Sequence, residues 1–130
     1  MKLFFACFGL ALSLNAFAAD CPVQFGTDGY LEKVSAAIKA TKSCEEGAQV
    51  AEACALGASG DVATVPVAER KCGLDFWTKL SPAEKQIYNG LQAKCDAKYK
   101  NMQGTMYLSF NAFCRLQVAR LYSELYTKAE

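Results

Sequence analysis

The sequence predicts an all-α fold: a small helical bundle of three to five helices, stapled by disulfides and preceded by a cleaved signal peptide. Three observations carry this expectation. Several stretches repeat apolar residues at steps of three and four, whereas none alternates with period two long enough to make a strand. Six cysteines, at 21, 44, 54, 72, 95 and 114, follow the first nineteen residues. Those nineteen have the layout of an export signal.

In the signal, Lys2 gives a basic start, Leu3 to Leu14 is apolar sequence apart from Ser13, and Ala16-Phe17-Ala18-Ala19 supplies small residues for cleavage. The apolar run is shorter than the ~20 residues that span a bilayer, so cleavage is favoured over an anchor. Residues 1–19 then leave with Cys7, and residues 20–130 form one helical, disulfide-rich domain. Asp20 precedes Cys21 where lipid attachment requires a small apolar residue, which argues against a lipoprotein.

The first helical pattern runs from Tyr30 through Val34, Ala37, Thr41, Cys44, Ala48, Ala51 and Ala55. Ser43-Cys44-Glu45-Glu46 reads as a capping box within it, so one helix over 28–58 and two shorter helices remain alternatives. Gly57, Gly60 and Asp61 end the pattern, and the stretch through Pro66 reads as a loop. A short helix follows over Val67 to Cys72. Gly73 releases it into Leu74-Asp75-Phe76-Trp77, whose bulky residues should cover the core. Ser81-Pro82-Ala83-Glu84 is a capping box with proline at the first helical position, opening a helix with Ile87, Leu91, Cys95 and Tyr99 down one side. After a stop at Gly104, the last helix extends from about Thr105 to Lys128. Its expected buried face is Met106, Phe110, Phe113, Cys114, Val118, Leu121, Tyr122 and Leu125.

An even cysteine count in an exported chain implies three disulfides, because export ends in an oxidising compartment. Cys95 and Cys114 lie at nearly equal distances either side of Gly104, so antiparallel helices turning there would bring them together. Cys54 and Cys72 flank the loop around Gly60, which leaves Cys21 for Cys44. A faint internal echo offers another set: Phe25 and Thr27 follow Cys21 at the offsets of Phe76 and Thr78 after Cys72. That set would be Cys21–Cys44, Cys72–Cys95 and Cys54–Cys114.

Composition also excludes function classes. Without Lys2 the chain carries thirteen basic and thirteen acidic residues, leaving no net field to draw it to nucleic acid or anionic lipid. Lys94, Lys98 and Lys100 form a basic edge that reads as a solvated face. There is no histidine, the carboxylates are scattered, and no phosphate loop or metal-binding pattern occurs. The reading is therefore a non-enzymatic protein with no cofactor and no metal. After cleavage nothing in it is expected to insert into a membrane, and its oligomeric state is left open. Helical spacing assigns Phe110 and Phe113 to the core and leaves Tyr107, Arg120 and Tyr126 as candidates for partner contact.

The stretch from Cys95 to Leu125, with Gly104-Thr105-Met106-Tyr107 midway and Cys114 followed by a helix to Ser123-Glu124-Leu125, resembles the LprI-type lysozyme inhibitor family. The resemblance covers about a quarter of the chain. Arginine and threonine usual after the second cysteine are replaced here by Ala119 and Tyr122 or displaced, and only Tyr88 stands near the place of an expected tryptophan. It implies a periplasmic or secreted binding module whose partner is a protein, most concretely a lysozyme. Gly104, Tyr107, Arg115, Arg120 and Tyr126 are the candidate contact residues. The alternative is a structural or stress-resistance factor of the cell envelope with no soluble partner.

Overall fold

A computed structural model describes residues 20–129, so the signal-peptide reading of residues 1–19 lies outside the described residues. Five α-helices are present among them: α1 (Tyr30–Ala40), α2 (Cys44–Ala53), α3 (Asp61–Gly73), α4 (Pro82–Tyr99) and α5 (Thr105–Lys128). A single 3₁₀ turn, Trp77–Lys79, links α3 to α4, and no strand occurs among the described residues. The all-α, disulfide-stapled bundle expected from the sequence is what the chain forms. No described helix is long and apolar enough to cross a membrane.

The 28–58 pattern resolves into two helices, because Ser43 caps α2 by accepting the Glu46 N–H at 3.2 Å. Glu46 reaches back one residue further than a standard box, accepting the Lys42 N–H at 2.9 Å. At α4 the box is complete: Ser81 accepts the Glu84 N–H, Glu84 accepts the Ser81 N–H at 2.7 Å, and Pro82 occupies the first turn. Gly104 has φ 114°, a value side chains avoid, and this lets the chain reverse into α5.

The expected loop through Pro66 is instead helix: α3 begins at Asp61 and carries Pro66 inside it. Interior proline removes one hydrogen bond and disfavours helix at the residue before it. Burial outweighs that here, since Asp61, Thr64, Val65, Val67, Ala68 and Cys72 all pack inward.

That longer helix corrects two of the expected disulfides. Cys95 and Cys114 do pair across the α4–α5 hairpin, with Cα atoms 5.7 Å apart. Cys54 does not pair with Cys72, nor Cys21 with Cys44; the bonds are Cys21–Cys54 and Cys44–Cys72. The echo-based set fails throughout. With α3 starting at Asp61, Cys72 lies about 17 Å along it, level with the start of α2 and Cys44. Cys54, at the turn, is left beside Cys21.

The centre of the core is Phe76, fully buried, ringed by Tyr88 at 5.1 Å, Tyr122 at 5.3 Å and Tyr126 at 6.4 Å between centroids. Its neighbours do not cover the core as expected: Leu74 is 82% exposed and Trp77 40%. On α4 the buried face is Tyr88, Gln92 and Cys95, while Ile87 is exposed.

The largest revision concerns α5. It buries Ser109, Ala112, Leu116, Ala119 and Ser123, and leaves Met106, Phe110, Leu121 and Leu125 exposed. Phe110 was expected inside and is 43% exposed, while Phe113 is only half-buried. Small residues let α5 settle closely on α3, and that contact is the largest between any two helices. The hydroxyls on this face are satisfied. Ser109 donates to Asp61 Oδ2 at 2.6 Å, and Ser123 donates to Asp75.

Candidate functional site

The five candidate contact residues all lie on α5 or its N-cap, but their side chains go to different places. Gly104 and Tyr107 form the hairpin end, where the Tyr107 ring lies 6.4 Å from Tyr99 and 5.9 Å from Phe110. Arg115 points between α3 and α4. It pairs with Asp96 at 2.9 Å and Glu69 at 3.3 Å, and burial opposes its charge while Glu69 and Asp96 more than restore it, raising its pKa. Arg120 points the other way, to α2. Its guanidinium meets Glu45 at 2.8 Å and Glu52 at 2.6 Å, and Gln117 donates to Glu52 as well. Tyr126 packs on Phe76 and donates to Glu84 Oε1 at 3.1 Å, tying the end of α5 to the start of α4. Partial burial, together with that bond, raises its pKa, and the same bond adds to the Ser81 contacts that lower Glu84.

Arg120 opens onto a substantial concavity. A cleft of about 770 Å³ separates the N-terminal turn of α2 from the C-terminal half of α5. Its walls are Lys42, Ser43 and Glu45 on one side and Arg120, Leu121 and Glu124 on the other, with Asp75 and Ser123 among the remaining lining residues. Leu121 and Leu125 are exposed on α5, the former in the cleft lining. The size suits a ligand site, but the mixed charge does not suit an apolar small molecule. Both signs of charge and an exposed leucine in the lining suit a protruding protein segment.

Lys42, Glu45, Asp75 and Glu124 escaped sequence reasoning as a group, because α2 and α5 are far apart in the chain and only the tertiary fold brings them together. Hydrophobic spacing alone assigns Leu121 to the core, whereas it is exposed. The signal that would have exposed it is the competing stripe of small residues, Ser109, Ala112, Ala119 and Ser123, at the same helical spacing.

A second hollow of about 370 Å³ lies between the end of α3 and α4, bounded by Glu69, Leu74, Phe76, Trp77 and Tyr88. Lys85 Nζ lies 5.1 Å from the centre of the Trp77 ring. Among the described residues no cluster of three or more His, Cys, Asp or Glu is arranged to hold a metal ion. No protein-family model, curated protein or solved structure matches the chain.

Proposed function

We propose that this chain is an exported, non-enzymatic protein-binding module, periplasmic or secreted, that receives a protruding segment of a partner protein in the α2–α5 cleft. The observation that carries the reading is the cleft itself. Arg120 is held there by two carboxylates with exposed Leu121 next to it in the lining, so a preformed polar anchor sits beside apolar contact area. Three disulfides fix the walls and reduce the ordering cost of association, and they accord with an oxidising compartment. Lysozyme inhibition is the most concrete form, and it comes from the resemblance over Cys95 to Leu125. The test is to titrate the oxidised protein into a lysozyme assay, with Leu121→Asp as the control. Inhibition that the variant loses supports the reading; an unchanged rate at micromolar excess ends the lysozyme form. The second reading, an envelope factor without a soluble partner, draws on a different surface, the free end of the α4–α5 hairpin.

A further inference from the structure

The end of the α4–α5 hairpin projects beyond the packed core. On α4 nothing is buried after Cys95, and on α5 nothing is buried before Ser109; Tyr99 and Tyr107 are half-buried against each other. The Cys95–Cys114 bond clamps the hairpin about 14 Å from Gly104, so this end is rigid without being covered. Met102, Met106, Leu108 and Phe110 are all exposed on it, a third of the twelve exposed large apolar residues among the described residues, within nine positions.

Charge is uneven here despite the near-neutral total. Residues 97–110 contain Lys98 and Lys100 and no acid, and Lys94 stands one turn earlier. Among the described residues, none of these lysines enters an ion pair. Asp96, the nearest acid, is occupied by Arg115 and Asn111. Lys98 lies 5.1 Å from the Tyr99 ring centre, and Tyr99 in turn packs with Tyr107 and Phe110, so cation and aromatics form one contiguous surface.

From this combination we infer that the hairpin end is a peripheral docking surface for an anionic lipid bilayer. Lysines meet the acidic headgroups, the tyrosines sit at headgroup depth, and the methionines and Phe110 enter the acyl boundary. The shape favours lipid over a protein groove. Met106 and Phe110 share one side of α5, Leu108 projects from the other, and Met102 tops the turn. A groove reads one face of a helix, whereas a bilayer admits a convex end whole. The inference rests on the export reading for where such a bilayer is met, and it makes no use of the cleft.

The experiment is co-sedimentation of the oxidised protein with vesicles of phosphatidylglycerol and phosphatidylcholine against phosphatidylcholine alone. The expected result is binding to the anionic vesicles that fades in high salt and is absent from the neutral ones. Lys98→Gln with Lys100→Gln should weaken it about 30-fold, roughly fivefold per lysine. Met106→Ser with Phe110→Ser should also weaken it, while Leu121→Ser, on the far half of α5, should not; circular dichroism checks that each variant is folded. Three results would overturn the inference: no binding at millimolar anionic lipid, binding indifferent to the tip variants, or equal competition by soluble polyglutamate, which would indicate an acidic protein instead. Vesicle binding without lysozyme inhibition would defeat the lysozyme form of the proposed function and leave this inference standing, and the reverse result would defeat this inference alone.

Discussion

Asp61 is fully buried, and its carboxyl closes the turn between α2 and α3. Oδ1 accepts the Leu56 N–H at 2.8 Å; Oδ2 accepts the Gly57 N–H at 2.9 Å and the Ser109 hydroxyl at 2.6 Å. Asp61→Ala would leave two backbone donors and a hydroxyl without this acceptor, at about 1 to 3 kcal/mol for each group that water cannot reach. The Ser109 hydroxyl can rotate, so the expected loss is about 3 to 5 kcal/mol. With a urea slope near 1.5 kcal/mol/M, the unfolding midpoint followed by circular dichroism should fall by about 2 to 3 M. Ser109→Ala alone should cost about 1 to 2 kcal/mol. In the Asp61→Ala background it should cost almost nothing, because its acceptor is already gone, and that coupling identifies the bond itself. A midpoint shift below about 0.7 M for Asp61→Ala, with the slope unchanged, would refute the view that this carboxyl organises the turn.

Non-reducing peptide mapping should recover Cys21–Cys54, Cys44–Cys72 and Cys95–Cys114; replacing both Cys44 and Cys72 by serine, across a separation of 28 residues, should cost about 3.5 kcal/mol in denaturant unfolding. Phe76→Ala should cost about 3 to 5 kcal/mol on the same assay, since the side chain is fully enclosed by aromatic neighbours. Burial, offset in part by the Gln92 bond, raises the Tyr88 pKa above its ordinary 10.0. Above pH 10 the unfolded chain therefore holds fewer protons than the folded one, and stability should be complete below that pH and fall as pH climbs toward the folded value. Unfolding followed by dichroism and by tyrosinate absorbance checks this, and Tyr88→Phe should flatten the alkaline limb.

How much of this was legible in the sequence depended on how local the signal was. The Ser81 capping box was readable because its members lie within one turn and their chemistry is sufficient in isolation. The Cys95–Cys114 bond was readable because Gly104 marks the reversal point and the helices on each side are long. Pro66 misled the reading of α3 through a local rule that tertiary burial overrode, and the error propagated. A loop drawn too long placed Cys72 near the turn instead of level with Cys44. With α3 begun at Asp61, Cys44 and Cys72 are equidistant from Ala58, and the hairpin argument that works for α4–α5 gives the right bond.

The face of α5 could not be assigned from hydrophobicity alone, because the helix carries two stripes. One holds the large apolar residues Met106, Phe110, Leu121 and Leu125; the other holds Ser109, Ala112, Leu116, Ala119 and Ser123. Transfer energy favours burying the first. Close approach of α3 favours the second, as do buried hydroxyls that find carboxyl acceptors in Asp61 and Asp75. Those two acceptors lie 48 positions before their serines, so no window along α5 contains the information that decides between the stripes. The outcome also locates the candidate surfaces. Turning the small stripe inward forces the large residues out, Leu121 into the cleft lining, Leu125 onto the exposed C-terminal part of α5, and Met106 and Phe110 at the hairpin end. Ser109→Leu with Ser123→Leu should therefore disrupt the α3–α5 contact despite adding apolar area. A more stable double variant would mean that the inward face is chosen by something other than fit.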